Sequence, residues 1–161
     1  SWPARQAAPG APGWKAGVNA MLIGIPSLLG PDLLHALRSM GHGDEIALVD
    51  GNYPAAEHAR RLIRADGHAV VAMLRAILAV LPLDRDAPAI FRAGLHNDPA
   101  QAGAVHRQID ALCTALAPGH AVTPLAGQAL YPRIRGAFAV VATSDEALYA
   151  NVILRKGVIA G

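Results

Sequence analysis

His42 sits between two glycines in the stretch Gly41-His42-Gly43-Asp44-Glu45-Ile46, and an apolar run then leads to Asp50. One imidazole and three carboxylates therefore fall within nine residues. Imidazole is the side chain whose unperturbed pKa lies nearest neutrality, so a histidine held in a mouth with a carboxylate is a ready proton-transfer pair. Such a pair serves reactions that only move protons and need no redox cofactor. A core histidine would more usually sit inside a periodic apolar face, whereas flanking glycines favour an exposed, closely approached backbone. Asp50 closes an apolar run, where a carboxylate is costly unless it is solvated, paired or used. It would orient a neighbouring imidazole or bind a sugar hydroxyl. Asp44 and Glu45 read as helix-end or surface charges, one of them pairing with Arg38 or Arg64.

Tyr149-Ala150-Asn151 precedes a clean apolar run, so its two polar side chains should project from a strand mouth. Tyrosine offers a flat apolar face with a hydroxyl, and the asparagine amide offers donor and acceptor together. That combination suits a polyhydroxylated ligand such as a sugar. Tyr131, ahead of Pro132 and Arg133, is a further candidate for the same site. His42, Asp44, Asp50 and His58 would make a nitrogen and oxygen set for a metal, but no pair shows a recognised ligand spacing, so no metal is expected. His35, His68, His96, His106 and His120 read as surface residues on helices, turns or loops. Cys113 beside Leu112 reads as packing rather than as a nucleophile.

Positioning these groups requires alternating helices and strands. Pro31 to Met40 places Leu33, Leu34, Leu37 and Met40 on one helical face, with Pro31 and Asp32 suited to the first turn and Gly41 to the stop. Ile46 to Val49 fits a buried strand ending at Asp50, and Gly51 to Pro54 comes next as a loop. A loop just beyond a strand's carboxyl end is where open α/β sheets place ligands. Arg61 to Ile63 reads as a short strand, with a turn over 64–67. Val70 to Leu81 gives a helical stripe stopped by Pro82. Ala87 to Gly94 reads as a strand, Pro99 to Leu116 as a helix, and Ala137 to Thr143 and Asn151 to Lys156 as strands, with a short helix or turn between the last two. The alternation predicts an α/β fold, a single domain with a mixed or parallel sheet flanked by helices. Residues 1–20 carry three prolines and no period, and lack the apolar stretch of a secretory signal. They read as a disordered extension, leaving a domain over 21–161.

Composition narrows the classes further. The chain has 161 residues, of which 53% are hydrophobic, 16% charged and only 4% aromatic, with one cysteine. Disorder is therefore not expected beyond the extension. A core of small residues with few aromatics favours further burial between subunits. The net charge is +2 and the basic residues are scattered, so no nucleic-acid patch is expected. The longest apolar stretch, Ala69 to Leu83, carries Arg75 and is too short to span a bilayer. A cysteine-poor chain is compatible with a reducing cytosol.

These segments together resemble the RbsD/FucU family of sugar mutarotases, its L-fucose branch most closely. The matching stretches are Pro31-Asp32-Leu33-Leu34, Met40 to Ile46, Asp50 with Pro54, Ile63 to Gly67, Gly136 to Val141, and Tyr149 to Val158, in one order from Met21 to about Ile159. The resemblance implies a compact RbsD-like α/β subunit assembling into rings, often decamers. It also implies a cytoplasmic enzyme that interconverts the anomers of a free monosaccharide without metal, nucleotide or other cofactor. By the same resemblance His42 is the acid/base residue, and Asp50, Tyr149 and Asn151 contact the sugar. Opening a hemiacetal ring requires a proton taken from the anomeric hydroxyl and one given to the ring oxygen; reclosure on the other face yields the other anomer. A ribose-type pyranase, exchanging pyranose and furanose rings through the same aldehyde, is the alternative within the class, and a non-catalytic sugar-binding accessory the alternative outside it. The chain departs from the fucose pattern four residues before Tyr131, where an arginine is expected and Gly127 stands, with Gln128 next to it as a substitute hydrogen-bond donor.

Overall fold

The central strand of the sheet is the apolar run that ends in Asp50. The computed structural model describes residues 20–160; the expected extension over 1–20 lies, apart from Ala20, outside the described residues. Strands β1 (Ala20–Leu22) and β2 (Ile25–Pro26) form a small antiparallel hairpin. Helix α1 (Pro31–Ser39) then leads to β3 (Glu45–Val49), the short helix α2 (Ala55–His58) and β4 (Leu62–Ala65). Helix α3 (Val70–Leu78), β5 (Ile90–Ala93), α4 (Ala104–Leu116), β6 (Val122–Leu125) and α5 (Gly127–Gly136) come next, and β7 (Ala139–Thr143) and β8 (Val152–Arg155) complete the chain.

The main sheet has six strands in the order β4-β7-β3-β8-β5-β6. Strand β8 runs antiparallel to β3 and β5, and the remaining pairings are parallel. The expected mixed α/β architecture is therefore what forms. Successive side chains of a strand point to opposite faces, and here both faces are covered. On β3, Ile46 and Leu48 enter one apolar core with Leu33, Leu37, Met73, Leu74, Ile77 and Ile109, from α1, α3 and α4. Ala47 and Val49 enter a second core with Leu130 and Ile134 of α5 and Ala55 of α2. Burial on both faces explains why the run from Ile46 to Val49 is continuously apolar rather than alternating.

Several boundaries differ from the sequence expectation, each for a physical reason. Strand β4 continues through Ala65, so the turn occupies only 66–67, with Gly67 at φ +85°. Strand β5 begins at Ile90, after Pro88. Helix α4 starts at Ala104 instead of Pro99, because the Asp98 carboxylate accepts from the Ala100 N–H at 2.9 Å and holds a turn there. The segment between β7 and β8 forms turns and no helix. Strand β6 and helix α5 have no counterpart in the sequence reading.

Gly94, between β5 and the 3-10 turn Leu95–Asn97, packs directly against the Asp98 carbonyl, where any Cβ would collide with backbone. Gly94→Ala is expected to destabilise the fold by about 1–3 kcal/mol, as overpacking does. Chemical denaturation at neutral pH measures it.

Candidate active site

Five strands of the sheet run one way and place their carboxyl ends on one edge, where β8 begins. A cavity of about 380 Å³ opens at that edge, lined among others by Asp50, Tyr53, Tyr131, Tyr149 and Asn151. Asp50 lies just past β3, Tyr149 and Asn151 precede β8, and Tyr131 reaches in from α5. Four of the five residues read from the sequence thus converge on one cavity, at the location the open-sheet rule assigns to ligands.

The polar groups are fixed from behind. The Asn151 Oδ1 accepts from the Asp50 N–H at 3.1 Å, which fastens the end of β3 to the start of β8 and leaves the amide N–H donors of Asn151 for other partners. Asp50, 6% exposed, accepts through Oδ1 from the Asn52 and Tyr53 N–H groups at 2.9 and 3.0 Å. Its second oxygen remains as the acceptor. Tyr149 holds the left-handed conformation (φ +62°), uncommon for a non-glycine residue, and its ring meets His96 edge-on at 5.6 Å. His96 and Asn97 also have positive φ, so strained backbone gathers beside the cavity.

His106 corrects the surface reading given to it: it is fully buried. Its Nδ1 accepts from the Gly103 N–H at 2.9 Å, so Nε2 carries the hydrogen and donates to the Tyr149 carbonyl at 2.9 Å. The imidazole is a brace that holds Tyr149 in its strained conformation. Its place was readable, since His106, Ile109 and Cys113 fall at helical spacing on the buried face of α4. Cys113 is buried as packing requires, and burial pushes its thiol up to about 12.

Gly127 allows the Asn97 side chain to pack closely, 3.1 Å from where a Cβ would stand. The Asn97 Nδ2 donates to the Tyr131 hydroxyl at 2.9 Å. Asn97, and not the exposed Gln128, therefore takes the hydrogen-bonding place next to Tyr131.

His42 lies elsewhere. Strand β3 separates it from Asp50, and five residues at roughly 3.3 Å each put about 16 Å between the strand's ends. Within one chain the two residues cannot act on the same atom, contrary to the expectation of a shared mouth. The carboxylate beside His42 is Asp84, whose Oδ1 lies 3.2 Å from His42 Nε2. Asp84 is 2% exposed, while the His42 side chain is 45% exposed. The Asp86 N–H and then the Arg155 guanidinium (Nε to Oδ2, 2.7 Å) hold the Asp84 carboxyl well below the usual carboxylate range, with His42 adding to the effect. An ionised carboxylate only accepts, so His42 Nε2 carries the hydrogen and Nδ1 is left as the outward-facing lone pair. That is the tautomer a general base requires.

The neighbouring charges are structural. Asp44 closes the turn by accepting from the Gly41 N–H at 2.7 Å, and Glu45 pairs with Arg133 and Arg155 at 2.9 and 3.8 Å rather than with Arg38 or Arg64. Among the described residues, metal-capable atoms gather at His42, Asp84 and Asp86, within 4.8 Å of one another, and not at the His42, Asp44, Asp50 and His58 set. Arg155 already occupies one Asp84 oxygen there. No helix of the described residues is long and apolar enough to cross a membrane. Sequence reasoning missed Asp84, which no helical or strand period marks, and Tyr53 and Arg135 of the cavity wall, and it weighed His58, which also lines the cavity, only as a metal ligand.

Both histidine networks bear on stability. His106→Ala leaves the half-buried Gly103 N–H and Tyr149 carbonyl without their partner, an expected loss of about 1–3 kcal/mol by chemical denaturation. Because the Asp84 carboxyl is held low in the fold, its contribution is present above the ordinary carboxylate range and declines as pH falls below about 4. The stability advantage of the wild type over Asp84→Asn should therefore be flat near neutrality and shrink on acidification.

Comparison with known proteins agrees with the fold. The model of the RbsD / FucU transport protein family matches residues 23–159. Fucose mutarotase from Homo sapiens is 40% identical over 146 residues, covering 86% of this chain and 95% of that protein. L-fucose mutarotase from Haemophilus influenzae is 36% identical over 140 residues, covering 86% and 97%. Among solved structures, the fucose mutarotase of Streptococcus pneumoniae in complex with L-fucose superposes with a TM-score of 0.71 at 39% identity, covering 84% of this chain and 98% of that one. This chain belongs to the RbsD / FucU family.

Proposed function

We propose that the protein is a sugar mutarotase that interconverts the α and β anomers of L-fucose or a closely related free monosaccharide. The observation that carries this reading is the cavity: Asp50, Tyr131, Tyr149 and Asn151 present donors, acceptors and flat apolar faces at the carboxyl edge of the sheet. Similarity to fucose mutarotases, one of them solved with L-fucose, supports the choice of sugar.

The chemistry needs one group that accepts a proton and one that donates it. The Nδ1 of His42, backed by the Asp84 carboxylate, is the acid/base we assign. Asp50, Tyr131, Tyr149 and Asn151 hold the sugar, with Asp50 accepting from a sugar hydroxyl. As His42 lies at the other edge of its own sheet, we assign the His42 that serves each cavity to a second copy of the chain. This makes the active unit a homo-oligomer, and a closed ring, decameric in the form the resemblance implies, is the assembly we propose. Exposed Met21, Leu22 and Ile23 at the hairpin, and Val158 and Ile159 near the end of the chain, offer apolar surface for such contacts. A cytoplasmic setting and a role in carbohydrate metabolism belong to the same reading.

Saturation-transfer NMR on the anomeric protons of L-fucose, with D-ribose and D-galactose alongside, tests it. Faster exchange of L-fucose is expected with catalytic amounts of the protein, and His42→Ala should lower the rate about 10²–10⁴-fold, the usual worth of a positioned acid/base, with the fold unchanged by circular dichroism. No acceleration by the folded wild type, or a His42→Ala rate equal to wild type, contradicts it.

A further inference from the structure

Tyr53, His58 and Arg135 form a hydrogen-bonded chain along one wall of the cavity. The Arg135 guanidinium lies 2.9 Å from His58 Nε2, and His58 Nδ1 lies 2.8 Å from the Tyr53 hydroxyl oxygen. Arginine has donors only, so Nε2 must be the lone-pair nitrogen, and the ring hydrogen sits on Nδ1. Nδ1–H then donates to the Tyr53 oxygen. The hydroxyl hydrogen of Tyr53 cannot point at His58 and is left for a partner in the cavity. The phenol keeps that hydrogen over the whole working range, because burial pushes it up to about 12. The Tyr53 ring stands edge-on to His58 at 5.3 Å and 6.0 Å from the ring of Tyr131, so the hydroxyl-bearing wall is continuous with the groups already assigned to the sugar.

We propose that Tyr53 is a specificity-determining residue of the cavity, its hydroxyl fixed as a donor by His58 and Arg135 and directed to an acceptor oxygen of the bound monosaccharide. The inference rests on the sugar-binding reading of the cavity. His58 and Arg135 are positioning residues, acting through Tyr53.

The test uses the full chain and L-fucose, with binding measured by calorimetry and exchange by NMR. Tyr53→Phe should weaken L-fucose binding about tenfold, the worth of one net hydrogen bond, while the exchange rate at saturating sugar stays within about twofold because the interaction is made equally in ground and transition states. His58→Ala should weaken binding in the wild-type background and have no further effect in Tyr53→Phe. His58→Asn, which can return an N–H to the position of Nδ1–H, should restore it. A merely structural role for His58 would give equal losses in both backgrounds. Wild-type affinity in Tyr53→Phe overturns the proposal, as does a His58→Ala loss that persists without the hydroxyl. Nitrogen-15 NMR of the unmodified protein offers a check that needs no variant: the neutral His58 ring should carry its hydrogen on Nδ1, and a neutral ring carrying it on Nε2 overturns the proposal. Exchange and binding separate the two claims. A protein that binds L-fucose through Tyr53 but exchanges nothing refutes the mutarotase reading and keeps this one, whereas a wild type that binds none of L-fucose, D-ribose and D-galactose refutes both.

Discussion

Strand β3 is the constraint on which the site geometry depends. Its residues Ile46 to Val49 are fully buried, it pairs with β7 on one side and β8 on the other, and each of its faces belongs to a different core. Such a strand can neither slip by one residue nor tilt, because a slip would exchange the side chains of the two cores. It therefore sets a fixed distance between the residues at its amino end and those at its carboxyl end. Asp50 is delivered to one edge of the sheet, stapled to β8 by Asn151, and His42 is delivered to the opposite edge beside Asp84. The same rigidity that makes each half precise keeps them apart within a chain. A second copy is the means we assign for bringing them together.

Three histidines illustrate how the protein sets proton positions without any unusual chemistry. Each imidazole meets a partner whose hydrogen-bonding polarity is fixed: the Asp84 carboxylate can only accept, the Gly103 N–H can only donate, and the Arg135 guanidinium can only donate. The partner selects the tautomer, and the other ring nitrogen inherits the opposite role. At His42 this leaves an exposed lone pair, at His106 a donor that braces Tyr149, and at His58 a donor that turns the Tyr53 hydroxyl. A reaction that only relocates protons depends on where hydrogens rest before the sugar arrives.

The sequence disclosed the elements whose signals are local. Helix α1 has Pro31 at its start, Gly41 just past its end and an apolar face between them, and β3, β7 and β8 are apolar runs but for one polar residue at an end of each. Asp50, Tyr149 and Asn151 were legible as a group because polar residues at strand mouths stand out against such runs, whereas Tyr131, on α5, was marked only by its place ahead of Pro132 and Arg133. Strand β6 was not, since Pro124 interrupts it; the proline is tolerated because β6 is an edge strand. Helix α5 was hidden by Gly127, Pro132 and Gly136, and only the buried pair Leu130 and Ile134 marks its inner face. The pairing of His42 with Asp84 and of Tyr53 with His58 and Arg135 is set by tertiary packing. His42 and Asp84 are 42 residues apart, and no periodicity connects them.

The central claim is that each cavity works with a His42 from a second copy. Complementation between two impaired variants, assayed well below saturating sugar, tests it most directly: His42→Ala lacks the acid/base and Tyr149→Phe lacks a cavity hydroxyl. Co-expressed and assembled at random, the two chains should regenerate activity at about a quarter of the sites, those whose cavity comes from the first chain and whose histidine comes from the second. Exchange of L-fucose anomers by the mixed assembly, at a rate well above either variant alone, is the predicted result. Mixed assemblies no more active than the separate variants would contradict a site shared between copies.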